Sequence, residues 1–69
     1  MSAAQYAYDE TPIGKDGRIV NAEDLAAFQA QVHRLDKMEH EGLIRIKTRH
    51  SESQTGHHLV DFVVFTRVR

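Results

Sequence analysis

His33-Arg34-Leu35-Asp36-Lys37-Met38-Glu39-His40-Glu41-Gly42-Leu43-Ile44-Arg45-Ile46-Lys47-Thr48 changes its period at Gly42. Upstream, Leu25, Phe28, Val32, Leu35 and Met38 fall three and four residues apart, which makes one apolar stripe on a helix. Downstream, Ile44, Ile46 and Thr48 alternate with Arg45, Lys47 and Arg49, the period of a half-buried strand with a cationic outer face. Gly42 stands between the two as the left-handed residue that ends a helix. A long helix leading into a strand is therefore the frame of the chain.

Working upstream, Asn21 suits the helix N-cap because its side-chain oxygen accepts from free first-turn N–H groups. Asp24 completes an approximate capping box, and Val20 with Leu25 stand at the positions of a hydrophobic staple. Glu23 and Asp24 put negative charge at the positive end of the helix dipole. The predicted rod has about five turns, roughly 30 Å. Its face away from the stripe carries Ala26, Ala30, His33, Arg34, Lys37 and Glu41. The Ala26–Ala30 strip lets a second helix approach closely.

Working downstream, residues 51–56 read as a polar turn and residues 57–69 as a second, longer strand. Val60, Phe62, Val64, Thr66 and Val68 share one face; Leu59, Asp61, Val63, Phe65 and Arg67 share the other. A hairpin centred on Gln54 sets Ile46 opposite Phe62, Lys47 opposite Asp61 and His50 opposite His58. The first two pairings match apolar to apolar and cation to anion. Leu59, Val63 and Phe65 then form a second apolar face that needs cover from the amino-terminal tyrosines or from a second subunit.

Residues 1–17 are expected to be an irregular lead. Ser2 to Tyr8 could serve as an edge strand, a first helical turn or a disordered tail, and Pro12, Gly14 and Asp16-Gly17 punctuate a loop. Arg18-Ile19-Val20 is a candidate third strand. With 69 residues the chain is one domain with a marginal core. It has no cysteine, which removes disulfides and thiolate metal sites and leaves self-association as a source of further burial. No apolar run reaches a membrane span and the start lacks a secretory pattern, so a cytoplasmic location is expected.

Chemistry is sparse. Asp16-Gly17-Arg18-Ile19 with Glu23 imitates the back half of a calcium loop, but Pro12 and Gly14 stand where the front half needs oxygen ligands. His33, His40, His50, His57 and His58 offer no set of three ligands, so no metal or other cofactor is assigned. Ser51 and Ser53 lie near His50 and His57 without a glycine elbow or an orienting acid, and the chain is read as non-enzymatic. Charge is asymmetric within a net of −1: residues 1–41 hold four Lys/Arg against eight Asp/Glu, residues 42–69 five against two.

Leu35, Met38, Glu39, Gly42, Leu43 and Ile44, followed by a basic hairpin, resemble the end of a winged helix-turn-helix domain. In that family a recognition helix closes on such a pattern and a two-stranded wing comes next. The likeness spans about residues 18–69, with Arg18–Val20 standing for the family's short first strand. The chain departs from the family where two helices and a turn are expected: no Gly, Pro, Asn or Ser breaks the run from Leu25 to Gly42. The first helix of the family has no clear counterpart in residues 1–8. The residues themselves give an α+β fold, one long helix packed on an antiparallel hairpin with a possible short third strand, and the resemblance makes it winged-helix-like. The resemblance also implies a regulatory protein that binds DNA as a homodimer. Arg45, Lys47, Arg49, Arg67 and Arg69 would then touch phosphates, while His33, Arg34 and Lys37 would form the polar face of the helix. Leu59, Val63 and Phe65, or Ala26 and Ala30, would form the dimer interface. The alternative is a protein-interaction or self-assembling module with no nucleic-acid role, in which the cationic row merely guards an exposed strand edge. One continuous positive stripe favours the first reading and scattered cations favour the second.

Overall fold

Two helices lie on one face of a three-stranded antiparallel sheet, in the chain order α1 (Ala3–Glu10), β1 (Asp16–Val20), α2 (Leu25–His40), β2 (Ile44–Ser51) and β3 (Val60–Arg67). The computed structural model describes residues 2–21, 24–54 and 56–69. The strand order is β1-β3-β2, so the carboxy-terminal strand is central. The α+β class and the third strand stand as expected. The single helix does not: the amino-terminal lead contains α1.

α1 forms because its caps and its apolar side agree. Ser2 is the N-cap and its hydroxyl accepts from the Gln5 N–H at 3.1 Å. Ala4, Ala7 and Tyr8, at helical spacing, turn toward the core. The next orphan donor, the Ala4 N–H, is met from outside the helix by Gln31 Oε1 on α2 at 3.0 Å. Pro12 to Lys15 then make a turn, with Gly14 at φ +84 and the Lys15 N–H bonded to the Pro12 carbonyl. Asp16-Gly17, expected in that loop, is already strand.

α2 starts later than the sequence suggested. Asp24 is its N-cap, in extended geometry, accepting from the Ala26 and Ala27 N–H groups. Asn21 instead donates its N–H to the Asp61 carbonyl at 2.8 Å and so extends the β1–β3 ladder. Glu23, expected in the first turn, lies outside the described residues. At the far end the expectation holds. Gly42 has φ +80, its N–H reaches the Glu39 carbonyl, and the Leu43 N–H reaches the Met38 carbonyl. That is the double bond pattern of a Schellman stop.

The core joins Ala4 of α1, Phe28, Val32, Leu35 and Met38 of α2, Ile19 of β1, Ile44 of β2, and Val63 and Phe65 of β3. Val63 and Phe65 are 0% exposed, so these two members of the expected dimer interface are core residues. Both faces of β3 are apolar, and the odd-numbered one took the helices. Gly17 lies opposite Phe65 and leaves room for its ring; a Cβ there would stand 2.7 Å from Phe65 Cζ and would strike Thr11 Oγ1.

The hairpin register also differs. Ile46 pairs with Phe65 and His50 with Phe62, and the ladder slips between Ile46 and Thr48 and again between His50 and Ser51. Lys47 is the extra residue of the first irregularity, a bulge that reverses the facing of the residues beyond it on β2. The loop is longer than the turn expected around Gln54: the Glu52 N–H bonds the Leu59 carbonyl, and the Leu59 N–H bonds Glu52 Oε1. Glu52 is a buried polar side chain that holds this loop.

Candidate functional site

Alternation places Val20, Phe62 and Val64 on the side of the sheet away from both helices. The register sets up three cross-strand rows: Asp16–Thr66–Arg45, Arg18–Val64–Thr48 and Val20–Phe62–His50. Val68 continues the same alternation past the end of β3, its N–H bonded to the Leu43 carbonyl. Among the described residues no helix covers this face. Val20 is 57% and Val68 48% exposed, while Phe62, Val64 and Thr66 are half-buried by their neighbours. The result is an apolar spine along β3 with polar and cationic flanks. Neither Tyr6 nor Tyr8 covers it: Tyr8 packs on the core side and Tyr6 is exposed.

The flanks are ordered by hydrogen bonds. Asp16 accepts from Thr66 Oγ1 at 2.7 Å and from Lys47 Nζ at 2.9 Å. The Lys47 bond, then that of Thr66, holds the Asp16 carboxyl below its ordinary value of 3.8. His50 stacks on Phe62 with ring centroids 5.3 Å apart, and its Nδ1 lies 2.6 Å from Asp61 Oδ1. Lys47 and Asp61 are thus both paired, though not with each other as the sequence suggested. His50 faces Phe62 rather than His58, which dissolves the expected histidine pair. Among the described residues no group of three His, Asp or Glu side chains is placed to hold a metal ion.

The eight cationic positions read from the sequence do not converge. Arg45 and Lys47 flank the open face. Arg49 lies beyond the bulge opposite Val63, on the helix side, and forms an ion pair with Asp36 of α2. Arg67 also turns to the helix side. Its guanidinium lies 4.2 Å from the Tyr8 ring centroid and donates to the carbonyls of Tyr8 and Thr11 from Nη1, and to that of Arg69 from Nε. It is a clasp on the end of α1. Arg69 is exposed at the same end, its carbonyl also taken by the Tyr8 hydroxyl. His33, Arg34 and Lys37 are exposed on α2 with their backs to the sheet, as are Ala26 and Ala30. Leu59 sits half-buried in the hairpin loop. The exposed cations of α2 and the pair Arg45 and Lys47 therefore occupy opposite sides of a two-layer molecule, with Arg49 and Arg67 on the helix side.

Arg18, Val20, Phe62, Val64 and Thr66 were not among the expected site residues. Their shared face was legible from alternation; which face the helices would choose was not. No pocket indents the described surface. No described helix is long and apolar enough to cross a membrane. The chain matches no family model, no curated protein and no solved structure.

Proposed function

We propose that this chain is a small non-enzymatic binding module that docks another protein on the helix-free face of its sheet. The observation that carries this is the contrast between the two kinds of surface feature. The apolar residues Val20, Phe62, Val64 and Val68 run together along one face, while the cations are divided between both layers and several are engaged inside the fold. An antiparallel sheet commonly leaves one face to solvent, but that face is then polar; a contiguous apolar spine along it is instead a mark of an interaction surface.

A DNA-binding dimer is the second reading. It draws on Arg18, Arg45 and Lys47, which stand together on the open face, and on the winged-helix-like motif around Gly42. Photo-crosslinking separates the two. The substitution Phe62→p-benzoylphenylalanine, made in cells that express the chain, is expected to give protein adducts resistant to nuclease. The same group at His33 is expected to give none. Nuclease-sensitive adducts, or a mobility shift with duplex DNA at about 50 mM salt, where phosphate contacts are strongest, would decide for the second reading.

A further inference from the structure

The open face differs from a simple apolar patch in its charge, and that charge selects the occupant. Arg18 flanks the spine on β1; Arg45 and Lys47 flank it on β2. The carboxylate in these rows, Asp16, has both oxygens engaged, by Thr66 and by Lys47. Arg18 and Arg45 form no ion pair among the described residues, and both are exposed. The nearby His50 is matched by Asp61. Two copies meeting through this face would bring the uncompensated cations of both into one interface, where like charges oppose association. The face is therefore poorly built for its own twin.

Its dimensions fit one helix. β1 and β2 stand on either side of β3, about 10 Å apart, which is two strand spacings and also a helix diameter. From Phe62 to Val68 the spine runs about 20 Å, the length of roughly 13 helical residues. The other face of the sheet is already filled by helices, and one more layer is the ordinary way to cover such a sheet. Resting on the reading of this face as a protein-docking surface, we propose that its occupant is an acidic amphipathic helix of another protein. The apolar ridge of that helix lies along Val20, Phe62, Val64 and Val68. Carboxylates on its two flanks meet Arg18 on one side and Arg45 on the other, the two cations of this face that form no ion pair among the described residues.

Fluorescence anisotropy with three labelled probes tests this on the whole chain. The first is a synthetic helix of about four turns with leucines on one stripe and glutamates on both flanks. The second replaces the glutamates by lysines, and the third is an oligothymidylate single strand. The acidic helix is expected to bind, and the lysine helix and the oligonucleotide to bind at least about tenfold more weakly. The double variant R18Q/R45Q, changed at two exposed positions, is expected to lose roughly tenfold in affinity for the acidic helix. R34Q/K37Q, which removes equal charge from the far side, is expected to lose none. Thermal melts of both variants verify that each remains folded. Equal binding of acidic and lysine helices, preferred binding of the oligonucleotide, or equal losses in the two double variants overturns the proposal. If Phe62 crosslinks to a protein while the acidic helix fails to bind, the docking face survives and the acidic occupant does not. If Phe62 crosslinks to no protein, the docking reading itself fails.

Discussion

Gly17 shows how one missing side chain decides a layer. It lies in β1 between Thr11, whose hydroxyl is bonded to the Ala7 carbonyl at 2.6 Å, and the fully buried ring of Phe65. Gly17→Ala is expected to cost about 1–3 kcal/mol through overpacking, read as a lower midpoint in urea with little change in slope. Arg67 is the second such residue. It closes the carboxyl end of α1 with two backbone bonds, to the Tyr8 and Thr11 carbonyls, and a ring contact, so Arg67→Met is expected to cost on the order of 2 kcal/mol. Faster hydrogen exchange in α1 than in α2 would identify the cause. Asp16 makes a prediction about pH. Its pKa is lowered in the folded chain, so its contribution is complete above the ordinary aspartate value and is lost as the pH falls through the lower folded value. Stability measured downward from about pH 5 should therefore fall less steeply in Asp16→Asn than in the parent. An identical slope in the two proteins would show that the Lys47 and Thr66 bonds do not persist in solution.

At the scale of elements, side chains tie the secondary structures together where backbone ladders cannot. Gln29 of α2 donates to the Val60 carbonyl at 2.7 Å and accepts from the Val60 N–H at 3.2 Å, anchoring the start of β3. Glu39 accepts from the Ile46 N–H at 2.7 Å, beside the Lys47 bulge. A carboxylate and a bulge together blunt an edge that would otherwise invite another strand. Gln29→Ala leaves both Val60 groups without these bonds and is expected to destabilise the chain by about 1–3 kcal/mol. Chemical denaturation measures the loss, and Gln29→Glu should recover less than half of it, because a carboxylate cannot donate to the carbonyl. The α2 stripe, its stop at Gly42, the alternation of β3 and that of β2 as far as Ile46 were legible, since each is set by residues within one or two turns of one another; beyond the Lys47 bulge Thr48 and Arg49 face the opposite way from the expected one. α1 was less legible. Its first turn is completed by Gln31 and its last by Arg67, from 27 and 59 residues away respectively.

The whole molecule is two layers, with one side of the sheet filled and the other open. Sedimentation at low salt is expected to show a monomer at about 100 µM, because the open face carries like charge toward a second copy. A stable dimer under those conditions, dispersed by Phe62→Asp, would restore self-association as the purpose of the face. What the sequence by itself determined was the α+β class, the unbroken α2, its stop at Gly42 and the two-residue period of β3 and of β2 up to Ile46. These are products of local backbone sterics and of spacing along the chain. Which side of β3 the helices cover, where the Lys47 bulge reverses the register, and which cations are consumed inside the fold were decided by the tertiary structure. β3 is apolar on both sides, so its own pattern could not choose. Gly17, Thr11 and Phe65 made that choice by fitting together in space, and in doing so left Val20, Phe62 and Val64 on the outside.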